Sequence, residues 1–101
     1  MISLSFLPEA WEDYIFWQGQ DKKTVNKINH LLQDISRNGY SGIGKPEPLK
    51  GNMSPWWSRR IDDTNRLVYR IEGSQAIISQ CRSHYWEEID AGKIVLDMMS
   101  G

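Results

Sequence analysis

The sequence predicts an α+β domain: a strand, two helices, then a three-stranded antiparallel meander, with the helices packed on one face of the sheet. Three observations predict it. The chain opens on an alternating apolar–polar run, continues through two helical patterns, and closes with three strand-like runs joined by tight turns. Its 101 residues fit one domain and leave no room for two. No apolar run approaches the ~20 residues that a membrane helix needs. The single Cys81 allows no intramolecular disulfide, and the start at Met1 carries no secretion signal, which together point to the cytoplasm.

Ile2-Ser3-Leu4-Ser5-Phe6 alternates as a short strand does. Leu7-Pro8-Glu9 opens the first helix, with proline in its first turn and an acid at its positive end. Trp11, Tyr14, Ile15 and Phe16 give that helix an apolar stripe, and Gly19 interrupts it. Asp21 is placed to N-cap a second helix running to about residue 37. Val25, Ile28, Leu31, Leu32 and Ile35 recur there at three- and four-residue steps. Asn38-Gly39 ends it with residues that tolerate left-handed geometry.

Residues 40–55 hold Gly42, Gly44, Pro46, Pro48, Gly51 and Pro55, so they read as a long ordered loop. Strand-like runs follow at 56–61, 66–71 and 76–82, joined by Asp62-Asp63-Thr64-Asn65 and Glu72-Gly73-Ser74-Gln75. Arg66, Val68 and Arg70 share one face of their strand, and Leu67, Tyr69 and Ile71 the other. In the last run, Ile78, Gln80, Arg82 and His84 alternate with Ile77, Ser79, Cys81 and Ser83. Two registers are open between these strands. A three-residue loop, Gly73-Ser74-Gln75, places Arg66 opposite Arg82 with His84 on the same face; a two-residue loop separates them. The first keeps the cations together on an open face and is favoured for that reason.

The net charge of −1 averages an uneven chain. Residues 1–36 sum to −2, residues 37–85 to +4 and residues 86–101 to −3. Six of the eight cations in the middle segment are arginines, whose planar fork suits phosphate, so an anionic partner is indicated there. Cleavage of RNA through its own 2′-hydroxyl needs a base, cations for the phosphorane and an acid for the leaving oxygen. Glu47, set between prolines and flanked by Lys45 and Lys50, is the candidate base. His84 is the candidate acid, because imidazole titrates near neutrality. Lys50, Arg59, Arg60, Arg66 and Arg82 are candidates for phosphate, and Tyr85 could stack on an unpaired base. His30 reads as solvated, Trp11, Trp17 and Trp57 as core, and Cys81 as a small buried apolar residue. No pair of residues has metal-ligand spacing, so no cofactor is expected.

Trp11-Glu12-Asp13-Tyr14, Gly42-Ile43-Gly44-Lys45-Pro46-Glu47-Pro48-Leu49, Trp57-Ser58-Arg59-Arg60-Ile61, Arg66-Leu67-Val68-Tyr69 and His84-Tyr85 follow one another at a spacing that resembles the Txe/YoeB branch of the RelE toxin superfamily. The resemblance covers residues 1–85. It implies a type II toxin–antitoxin toxin that acts as a ribosome-dependent mRNA endonuclease on codons in the decoding site and thereby inhibits translation. By the same resemblance Glu47 is general base, Arg66 stabilises the transition state, His84 is general acid and Tyr85 orients substrate, with Lys50, Arg59 and Arg60 supporting RNA binding. It implies a 2′,3′-cyclic phosphate and a 5′-hydroxyl as products, no metal, a YefM-like antitoxin whose C-terminal segment folds across the basic face, and dimers, which are common in this branch.

Two departures stand against the resemblance. Asn65 occupies the place before Arg-Leu-Val-Tyr where family members usually carry histidine. Residues 86–101 follow the His-Tyr pair at which relatives typically stop; this acidic extension reads either as a solvated appendage or as a segment folding over the cations in cis. Two non-catalytic alternatives share the fold: a gyrase-poisoning binder, and an antitoxin-binding regulator. Glu47, His84 and Tyr85 argue against a pure binder.

Overall fold

In the computed structural model residues 1–82 are described; His84, Tyr85 and the 86–101 extension lie outside the described residues. Strand β1 (Ser3–Phe6) leads into helix α1 (Pro8–Gln20) and helix α2 (Lys22–Asn38), followed by β2 (Glu47–Pro48), a 3-10 turn (Gly51–Met53), β3 (Trp57–Arg60), β4 (Arg66–Glu72) and β5 (Gln75–Gln80). Asp21 caps α2 as expected, its carboxylate accepting the Lys23 N–H at 3.0 Å and the Thr24 hydroxyl at 3.0 Å. Gly39 closes α2 at φ 64°, where a side chain would be strained.

The five strands lie in the order β1-β5-β4-β3-β2. The meander is β3-β4-β5, antiparallel throughout, and β1 joins its β5 edge in parallel. The expected loop at 40–55 contains a strand that the reading did not anticipate: Glu47 and Pro48 pair with Ser58 and Trp57 at the opposite edge. Prolines are tolerated there because an edge strand leaves half of its N–H groups unneeded.

One face of the sheet is covered by the helices. Ile28, Leu31 and Ile35 of α2 are fully buried against Leu67 and Tyr69 of β4 and Ala76 and Ile78 of β5. Each large aliphatic side chain buried in this way contributes about 1.5–3 kcal/mol. Helix α1 gives only Ala10 wholly to this core, and Trp11, expected inside, is 52% exposed. The α2 stripe already fills much of the sheet face, so α1 sits over the β1–β5 side, with Trp11 packed edge-on against Phe6 and stacked on Tyr14. Trp17 and Trp57 are half-buried and pack on the core, and His30 is exposed, as expected. Of the adjacent pair Trp56 and Trp57, Trp56 packs on the uncovered face, with Leu49 and Met53 around Val68.

The β4–β5 loop corrects the favoured three-residue turn, although a bulge restores the favoured pairing further along. Glu72 pairs with Gln75, so the loop has two residues, and the pairing continues as far as Tyr69 with Ile78. Val68 then pairs with Gln80, which leaves Ser79 as an extra residue in β5. This bulge shifts the register by one and separates Ile78 from Gln80: Ile78 enters the core beside Tyr69, while Gln80 lies across from Val68 on the uncovered face.

Beyond the bulge, Cys81 is held by α1. Its N–H donates to Asp13 Oδ2 at 3.1 Å, its carbonyl accepts the Trp17 indole N–H at 2.8 Å, and its Sγ lies 3.7 Å from the Ala10 carbonyl. Burial pushes the Cys81 thiol up to about 12, and Asp13 adds to the effect. The native chain is therefore expected to alkylate with iodoacetamide at pH 8 on the order of a thousandfold more slowly than the denatured chain. Comparable rates would show that this anchor opens freely.

Candidate active site

The uncovered sheet face carries the candidate residues because of strand register. Glu47 pairs with Ser58, Ser58 with Val68, and Val68 with Gln80, so these four form one row across β2, β3, β4 and β5. Arg60 and Arg66 pair with each other and form the next row, two residues along β3 and so about 7 Å from Ser58. On the other side of the row lies Arg70, its guanidinium 4.8 Å from the centre of the Trp56 ring. Glu47 is exposed at the edge, while Ser58 and Val68 beneath the face are buried. The face thus presents Glu47 at the end of a neutral row bordered on both sides by arginines, of which Arg60 pairs with Asp63 and Arg70 with Glu72.

Arg60 and Arg66 are steadied locally. Arg66 Nη1 donates to the carbonyls of Asp62 at 3.0 Å and Asn65 at 3.3 Å. Arg60 Nη2 meets the exposed Asp63 carboxylate at 2.7 Å, a contact that a phosphate can replace at little cost because surface pairs are weak. Lys50 is exposed at the start of the 3-10 turn. Asn65 holds the β3–β4 hairpin: its backbone N–H and its side-chain amide both bond the Asp62 carboxylate. Partial burial pushes Asp62 upward, but the hydrogen bonds from Asn65 and Thr64 outweigh it and hold the carboxyl below its ordinary value. An amide at position 65 therefore serves the turn that aims Arg66.

Two candidates are placed elsewhere. Arg59, read as an RNA-binding residue, points to the helix side of β3 and is wholly buried. All five of its N–H donors have acceptors: Nε meets the Tyr69 hydroxyl at 3.0 Å, Nη1 meets Asp34 and the Ile43 carbonyl, and Nη2 meets the carbonyls of Gly39 and Ser41. The alternation along β3 sends Arg60 outward and Arg59 inward, and a guanidinium with every donor used is not offered to RNA. Arg82 is exposed, but β5 ends at Gln80, and its guanidinium lies over the Phe16 ring of α1 at 3.7 Å from the centre. It does not face Arg66 across the sheet as the sequence reading had it.

Asp34 was missed. Its carboxylate takes Arg59, the Asn38 amide at 2.7 Å and the Ile43 N–H at 3.0 Å, and the Arg59 hydrogen bond holds its carboxyl below the ordinary value. The surrounding loop needs glycine. At Gly42, φ 128°, a Cβ would lie 1.8 Å from Asp34 Oδ2; at Gly44, φ 79°, it would lie 2.6 Å from Leu31 Cδ2. The alternate spacing of Gly42 and Gly44 was the available signal of a chain wrapped closely around a buried group.

With the site in view, comparison with known proteins decides the family. The sequence model described as the YoeB-like toxin of bacterial type II toxin–antitoxin systems matches residues 6–85. The chain belongs to this family. Toxin YoeB of Streptomyces coelicolor is 51% identical over 82 residues, covering 81% of this chain and 98% of the relative. Among solved structures, the YoeB/ParE toxin from Agrobacterium tumefaciens superposes with a TM-score of 0.80 at 46% identity, covering 83% of this chain and all of that one. A YoeB dimer from Staphylococcus aureus gives 0.77 at 48% identity over 83% of this chain and 98% of its own. A heterotetrameric YoeB-YefM toxin–antitoxin complex from the same organism gives 0.77 at 48% identity over 84% and 99%. The match to this YoeB-like family includes every candidate residue from Glu47 to Tyr85. Among the described residues, no group of His, Cys, Asp and Glu could hold a metal ion, and no helix is long and apolar enough to cross a membrane.

Proposed function

We propose that this chain is a ribosome-dependent mRNA endonuclease that cuts the codon in the decoding site and so inhibits translation. The observation that carries the reading is the row of Glu47 beside the paired Arg60 and Arg66 on the uncovered face, in a chain of the YoeB-like toxin family. Glu47 takes the proton from a ribose 2′-hydroxyl, and the 2′-oxygen bonds to the adjacent phosphorus. Arg66, with Arg60 beside it, neutralises the charge on the pentacoordinate phosphorus. The bond from phosphorus to the 5′-oxygen breaks, and His84 donates a proton to that oxygen. The products are a 2′,3′-cyclic phosphate and a 5′-hydroxyl, and base, acid and cation all come from side chains. Tyr85 orients the substrate, and Lys50 extends the phosphate contacts.

A YefM-like antitoxin covers the same face, its acidic segment folding against these arginines, and two copies of the toxin associate. The relatives solved as a YoeB dimer and as a YoeB-YefM complex support both partners. Such work on ribosomes places the protein in the cytoplasm. Residues 1–85 form the toxin unit, with 86–101 as an acidic extension outside the family match.

Primer extension on purified translating ribosomes tests the reading. The chain is expected to cut within the decoding-site codon, and its His84→Gln form to lose that cut while still binding antitoxin. A chain that binds antitoxin yet leaves mRNA intact, even when ended at Tyr85, would be a binder and not a nuclease.

A further inference from the structure

Strand β2 is two residues long, and because Pro46 and Pro48 lack an N–H, Glu47 has the only donor of the three. Such a strand cannot set its own register, yet Glu47 must stand at a fixed height over the arginine row if it is to act as base. The cross-strand bonds that frame it are Arg60 N–H to the Gly44 carbonyl at 2.7 Å and Leu49 N–H to the Trp56 carbonyl at 2.9 Å. The first depends on where the chain leaves Gly44, and that point is fixed from the far side of the sheet. There, Arg59 gathers the carbonyls of Gly39, Ser41 and Ile43, every second residue of the segment entering Gly44, while Asp34 holds the guanidinium and the Ile43 N–H.

We propose that the buried Arg59, clasped by Asp34, is a positioning residue for Glu47: it fixes residues 39–44 and so sets the register of β2 against β3. Arg59 and Arg60, adjacent in sequence, thereby divide the work. Arg59 holds the base-bearing edge from inside, and Arg60 meets the phosphate from outside. The inference rests on the nuclease reading for its kinetic consequence, while the structural consequence can be read without it.

The test uses the full chain with Arg59→Lys. Lysine keeps a positive charge beside Asp34, but its single nitrogen cannot span three carbonyls as the planar fork does. Single-turnover cleavage on programmed ribosomes is titrated with toxin, and native-state hydrogen exchange follows the Arg60 and Leu49 amides against the core amide of Ile78. A displaced base is expected to lower the maximal rate by about 10- to 100-fold. The half-saturating concentration stays within about twofold, because Lys50, Arg60 and Arg66 still offer phosphate contacts. The Arg60 and Leu49 amides lose protection while Ile78 keeps it. A maximal rate unchanged in the folded lysine variant, or a defect confined to half-saturation, would overturn the proposal.

Should Arg59→Lys not fold, Tyr69→Phe removes the Nε acceptor and the hydroxyl's own 3.5 Å bond to the Gly39 carbonyl; it is expected to lower the maximal rate about fivefold, and no change would overturn the proposal equally. If the parent chain leaves mRNA uncut, the nuclease reading fails, and the exchange comparison alone then decides the clasp. Lost Arg60 and Leu49 protection supports it, and retained protection overturns it.

Discussion

Replacing Glu47 by glutamine is expected to lower the single-turnover rate of mRNA cleavage on programmed ribosomes by about 10²–10⁴-fold. Glutamine keeps the size and polarity of the side chain and removes its negative charge and with it the capacity to accept a proton. Glu47 is exposed on an edge strand, so the substitution should leave stability within about 0.5 kcal/mol of the parent. Antitoxin binding should persist, because the arginines that would meet its acids are untouched. The pair of readouts separates chemistry from folding. Cleavage within a few-fold of the parent would remove Glu47 from the mechanism, and a parallel loss of antitoxin binding would mean that the substitution had altered the whole face.

The second large effect concerns stability. Asp34→Ala leaves the fully buried Arg59 guanidinium without its carboxylate and should cost about 3–5 kcal/mol. A domain of this size has about 5–15 kcal/mol in all, so the melting temperature should fall by on the order of 15 °C or more. The same pair predicts a pH dependence. Arg59 holds the Asp34 carboxyl below its ordinary value of 3.8, so the unfolded chain binds this proton more readily than the folded one. The stabilisation is complete above that value and is lost as pH falls through it toward the folded one. Calorimetry between pH 7 and pH 3 should show the parent losing stability more steeply below pH 4 than Asp34→Ala does. Parallel curves would show that the pair contributes nothing to acid sensitivity.

Much of the fold was legible because its signals are local. The Asp21 cap, the Gly39 stop and the three- and four-residue spacing of Ile28, Leu31, Leu32 and Ile35 depend only on residues within a turn or two of one another. The outward facing of Arg66, Val68 and Arg70 followed from the two-residue repeat of a strand. The candidate base was legible for a different reason. The Lys45-Pro46-Glu47-Pro48 block is a run of residue types that a core does not need, and the family match includes it.

What the sequence left open depends on pairing between distant segments. The β4–β5 loop is one residue shorter than favoured, and the bulge at Ser79 restores the shift only beyond Ile78, so a period-two reading of β5 places Ile78 and Gln80 on the same face when they are on opposite ones. Arg59 and Arg60 look alike as neighbouring cations. Whether one of them is buried turns on whether acceptors exist inside, and those acceptors are carbonyls of a loop some twenty residues away and a carboxylate on α2. The elements, their caps and the residue types offered to phosphate could be read along the chain, because each rests on contacts between near neighbours. Which arginine faces outward, and how Glu47 is held, followed only from the assembled fold. A buried charge is tolerable only where the whole fold surrounds it with partners, and no local pattern records that enclosure.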